Sequence, residues 1–176
     1  MYWLLWMGIA TGMRTMTPIA VFCWFAYLGL LPQEGWTSWS AKLVTVIVFT
    51  VLAIGEYFGD LRPEAPNRTA TGPLAARVFF GALTAAMAAH ASQPPTAGGV
   101  IFGAIGALIG AFAGIRLRLW AARKVGRDWP VGLTESAVAL GIAIWGAYKF
   151  HRYWVLLHTM DEGRLHWISR IHAGLS

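Results

Sequence analysis

Six charged residues, Arg14, Glu56, Asp60, Arg77, Arg116 and Glu135, stand in or at the ends of apolar stretches. A charge inside or at the edge of a bilayer is costly unless it is paired or hydrated. Glu56 and Asp60 are spaced i, i+4, so on a helix their carboxylates share one face and could together attract a cation. Arg14 needs a counter-charge, and Glu56 and Glu135 are the candidates. Glu135 follows Thr134 near the start of an apolar segment, where a helix N-terminus favours negative charge, so it is either a site residue or a cap. The chemistry available is that of a small polar site. Carboxylates would hold a cation or proton, Arg14 a counter-charge or anionic group, with Glu135 and Arg116 in support. The alternative is a fixed ion-pair cluster that sets helix register.

Composition decides what must position these residues. The 176-residue chain is 57% apolar and only 12% charged, with a mean hydropathy of +0.54. Soluble domains carry about 25% charged residues, so the apolar surplus here faces lipid. Ten tryptophans fit headgroup-level anchoring. The net charge of +6 comes from basic residues at the ends of apolar segments and does not point to nucleic acid.

Five apolar segments follow in order. The first, Tyr2 to Leu31, is too long for one straight crossing, and Pro18 in its middle predicts a kink or break over Gly12–Pro18. Broken membrane helices often frame binding sites. After a polar turn over 32–40 come Ala41–Phe58, Leu74–Ala91, Gly99–Leu119 and Val131–Tyr148. The bundle is expected over 1–148, with 149–176 as an interfacial or poorly ordered tail. The basic loops 59–77 and 116–130 are expected to be cytoplasmic, which with five crossings puts the N-terminus inside and the C-terminus outside. In the first of these loops, two prolines stiffen a polar stretch. There Asn67 and Arg68 are candidate site residues, with a salt bridge or headgroup contact as the plainer role for Arg68.

Glycines at 99, 103, 106, 110 and 114 line one face of the fourth segment and favour close helix packing. Gly8, Gly12, Arg14 and Gly110, Gly114, Arg116 both read G-x-x-x-G-x-R. Three crossings would separate them, so the copies would run in opposite directions, as in an inverted repeat. One cysteine, Cys23, excludes an intrachain disulfide and a cysteine-based metal site. The five histidines lack ligand spacing, no cofactor motif or catalytic set stands out, and no cleavable signal is read at the N-terminus.

The ordered motifs Gly12-Met-Arg14-Thr-Met-Thr-Pro18, Gly55-Glu56-Tyr-Phe-Gly59-Asp60-Leu-Arg62-Pro63 through Asn67-Arg68-Thr69, the Gly106–Arg118 run and Pro130-Val-Gly-Leu-Thr-Glu135-Ser resemble a family of small bacterial membrane proteins, domain-of-unknown-function family 4126. The resemblance spans residues 5 to 146. It implies an integral membrane protein of the bacterial inner membrane and carries no activity with it. Where that family often has a second acid after the glutamate, this chain has Ser136, which weakens a divalent-metal site there.

These readings together predict an all-α multi-pass membrane bundle of about five crossings, broken in its first helix and glycine-packed in its fourth. It would form a homodimer in the lipid bilayer and move a small ion or polar solute. A non-transporting scaffold is the alternative, and a lipid-directed enzyme lacks a nucleophile.

Overall fold

The computed structural model describes residues 2–59, 70–91, 95–126 and 128–173, leaving aside the side chains at 128, 129, 158 and 161–173. Every regular element among them is helical: α1 (Tyr2–Met13), α2 (Thr17–Tyr27), a short 3-10 helix (Gly35–Ala41), α3 (Leu43–Gly59), α4 (Thr71–Ala91), α5 (Thr96–Val125) and α6 (Asp128–Ala173). A bilayer core of about 30 Å takes about 20 helical residues. α4, α5 and the Pro130–Leu157 stretch of α6 are long and apolar enough to cross, and the 3-10 helix with α3, bent by 65°, makes a fourth span if counted as one. The architecture is that of a helical membrane protein. α6 runs unbroken through Tyr148, where the sequence reading placed the boundary of the bundle.

The first apolar segment does not run straight through. α1 and α2 have 12 and 11 residues, so each reaches only about 16–18 Å at 1.5 Å per residue. The Trp3 and Tyr153 rings lie 4.8 Å apart. The Leu30 carbonyl oxygen is 2.6 Å from Nδ1 of His151. Both ends of the segment therefore meet α6 two residues apart. Its middle, Arg14, reaches Gly132 near the other end of α6. A continuous helix would separate residues 3 and 30 by about 40 Å. Intermediate contacts agree: Leu4 and Met7 share a core cluster with Phe22 and Ala26, and Ala10 shares one with Val21.

Of the kink or break expected over Gly12–Pro18, the structure has a break at Arg14, Thr15 and Met16, and the two half-length helices it joins fold back as a hairpin instead of making one crossing. Among the described residues the crossing-length helices number three or four, against about five expected. The start of α1 and Tyr153 of α6 lie at the same end of the bundle, so placing the two on opposite sides no longer follows. Pro18 supplies the physical reason. It sits in the first turn of α2, where its missing N–H costs nothing, and so it begins a new helix instead of bending an old one.

α5 lies between α1 and α4 and holds both at backbone distance. A Cβ added to Gly8 would lie 2.5 Å from the Gly103 oxygen, and one on Gly99 2.5 Å from the Ala85 oxygen. At Gly12 and Gly110 it would fall on the backbone carbonyls of Ala107 and Ile9. The pairings Leu5–Gly106, Ile9–Gly110 and Met13–Gly114 rise together in number, so α1 and α5 run parallel. The G-x-x-x-G-x-R recurrence therefore does not mark an inverted repeat. Its two copies lie side by side in the same direction, because α1 ends in a hairpin and does not cross.

Candidate functional site

The hairpin tip has three residues outside any helix, and the backbone N–H groups of Thr15 and Met16 there need acceptors from elsewhere. Glu56, one turn from the end of α3, fills that need. Its Oε1 accepts the Thr15 N–H at 2.8 Å and its Oε2 the Met16 N–H at 2.9 Å. A carboxylate at a helix N-terminus is also favoured by the helix dipole. Both Glu56 oxygens are thus committed to the hairpin backbone, not to Arg14. Beside it, the Tyr57 hydroxyl lies 2.8 Å from Thr17 Oγ1, which fastens the start of α2 to the same turn of α3.

Arg14 is among the largest fully buried side chains, only 1% exposed. Its guanidinium donates from Nη2 to the Gly132 oxygen at 3.1 Å and lies 5.4 Å from the centre of the Tyr57 ring, a cation–π arrangement. The same Gly132 oxygen accepts the Ser136 hydroxyl at 2.8 Å.

Glu135, one turn further along α6, is buried and faces Arg118, with Nη1 3.7 Å from Oε2. Two glycines make room for this pair. A Cβ on Gly114 would lie 3.2 Å from Glu135 Oε1, and one on Gly132 3.4 Å from Arg118 Nη2. Because α6 begins at Asp128, Glu135 stands two turns inside the helix, and its reading as an N-terminal cap is corrected.

The tip thus brings together Arg14, Glu56 and Glu135 from the expected set. Arg116 does not join them: it is exposed, while Arg118 is largely buried. Two residues apart on a helix, the two point to opposite sides. Sequence reasoning missed Arg118, yet a signal was present, since it follows Gly114 by four and continues the glycine face. Arg77 is also buried, on the face of α4 that carries Gly81. Asp60, Asn67 and Arg68 lie outside the described residues.

A cavity of about 270 Å³ adjoins the tip, lined by Arg14, Tyr57, Gly132, Leu133, Ser136, Ala137 and Leu140. Its polar groups gather at the Arg14 end, and its walls along α6 are aliphatic. Such a space can take a solvated ion, a small polar solute or the head of an amphiphile. Among the described residues no three His, Cys, Asp or Glu side chains come together to hold a metal.

No family model, curated protein or solved structure matches this chain.

Proposed function

We propose that this protein is a multi-pass protein of the bacterial inner membrane that moves a small ion or polar solute past the hairpin tip. In this reading the site is built on Arg14, with Glu56, Glu135 and Arg118 holding its frame. The observation that carries it is the placement of a buried arginine at the end of two half-length helices, beside a cavity. Non-helical backbone at membrane depth is tolerated where it is enclosed by protein or lines a wet cavity, and paired half-helices are a recurrent way to build transport sites.

The basic ends of the bundle, loops 59–77 and 116–130, would face the cytoplasm. The glycine stripe of α5 would form the close-packed core, and a homodimer would add walls around the cavity. Membership of domain-of-unknown-function family 4126 belongs to this proposal and rests on the motifs around Arg14, Glu56 and Glu135.

The second reading is a scaffold whose charges only hold helices in place. It is favoured by Glu56, whose two oxygens both serve the hairpin backbone. Flux separates the two. In proteoliposomes carrying a panel of monovalent ions, protons and small organic solutes, the transport reading expects flux in wild type and its loss in Arg14→Gln protein that remains monodisperse. Absence of wild-type flux across the panel, with variants that come apart in detergent, would leave the scaffold.

A further inference from the structure

α5 is longer than a crossing needs. The hydrocarbon core of a bilayer takes about 20 helical residues, and α5 has 30, so part of it stands outside. No charged residue occurs from Thr96 to Ile115, and the first is Arg116. A charge in hydrocarbon is costly, so the part that stands outside is the end running from Arg116 to Val125. That end has two sides. Arg118 turns inward to Glu135. Arg116, Leu119, Trp120, Arg123 and Lys124 follow one another at spacings of three and four on the opposite side, and all five are exposed. No acidic residue stands anywhere in α5 to neutralise the three cations.

Two of the cations are also aimed. Arg123 Nε donates to the Leu119 oxygen at 3.1 Å, and Lys124 Nζ lies 4.3 Å from the centre of the Trp120 ring. Leu119 and Trp120 stand one turn nearer the apolar run, so both charges are drawn back toward the bilayer and away from the helix end. An exposed leucine and indole set among cations gain little in water and suit the zone of lipid headgroups. A soluble acidic partner would match the charges but would meet cations that lean away from it. We infer that this face of α5 collects anionic phospholipids of the surrounding membrane, with their phosphates against Arg116, Arg123 and Lys124 and the Trp120 indole among the headgroups. The inference does not rest on transport, because a scaffold could gather such lipids equally well. Because the face is exposed, its residues can be replaced without disturbing the packing of the bundle.

The test uses the full chain in a neutral detergent and native mass spectrometry, with phosphatidylglycerol and phosphatidylcholine of equal chain length competing in equal amounts. Wild type should retain phosphatidylglycerol about tenfold better, since each basic residue near an anionic headgroup adds to the attraction. The triple variant Arg116→Gln/Arg123→Gln/Lys124→Gln should lower that ratio by about fivefold or more. The triple variant Lys42→Gln/Lys149→Gln/Arg152→Gln removes the same charge from other helices and should leave the ratio unchanged. Equal retention of the two lipids by wild type would overturn the inference. So would a ratio unchanged in the α5 variant, or an equal fall in both variants, which would reduce the effect to net charge. Release of phosphatidylglycerol by polyglutamate added at equal total charge would assign the face to a soluble acidic partner and overturn it as well.

Discussion

The same substitution at two glycines should have opposite effects. At Gly110 an alanine Cβ would fall on the Ile9 carbonyl oxygen and lie 3.0 Å from the Gly12 Cα. An ordinary carbon–oxygen contact between helices is about 3.3–3.6 Å, and neither opposing atom belongs to a side chain that can swing away. α1 and α5 would have to part. Overpacking of this kind costs about 1–3 kcal/mol, and a backbone-on-backbone clash belongs near 3. The better helix propensity of alanine returns about 1 kcal/mol, leaving a net loss of about 2 by the same estimates. At Gly141, in the middle of α6, nothing lies within 4 Å of the added Cβ. Only the propensity gain of up to about 1 kcal/mol operates there. The two variants should differ by about 3 kcal/mol, which at roughly 2–4 °C per kcal/mol for a chain of this size is a Tm gap of about 6–12 °C. The ten tryptophans make thermal unfolding in detergent easy to follow by intrinsic fluorescence. Equal melting temperatures for the two variants, or a lower one for Gly141→Ala, would refute the backbone-contact reasoning.

Glu56→Ala should strand the Thr15 and Met16 N–H groups and cost about 2–4 kcal/mol, whereas Glu56→Gln keeps one acceptor and should cost about half as much; thermal unfolding of the two variants measures the difference. Arg118→Ala should remove a guanidinium that faces the buried Glu135 carboxylate and cost about 3 kcal/mol or more, while Arg116→Ala, on the exposed side of the same helix, should stay within about 0.5 kcal/mol of wild type. Comparable losses in both arginine variants would contradict the placement of Arg118 against Glu135.

The helical membrane class was legible in the composition, because a chain with so few charges has no way to clothe its apolar residues in water. The sequence also indicates which charged residues stand among apolar ones. It does not indicate which atoms they meet. Glu56 could be placed near a break in the chain, but its use as a double acceptor depends on α3 lying across the tip, a contact 40 and 41 residues away in sequence. Hydropathy cannot distinguish two half-helices that continue from two that fold back, since both are equally apolar. What decides is pairing with α6 through Trp3 and His151, set by tertiary packing. Arg118 was the readable omission. Counting four from Gly114 would have put it on the buried face and Arg116 on the opposite one.

The tip, its buried arginine and the cavity exist only if α1 and α2 fold back. Spin labels at Tyr2 and Leu28, both exposed, report on the hairpin directly by pulsed electron–electron resonance in lipid nanodiscs, with Cys23 replaced by serine. The hairpin predicts a single distance distribution centred below about 25 Å, whereas a kinked helix passing straight through would place the labels about 39 Å apart at 1.5 Å per residue. A distribution centred near that longer distance would contradict the account.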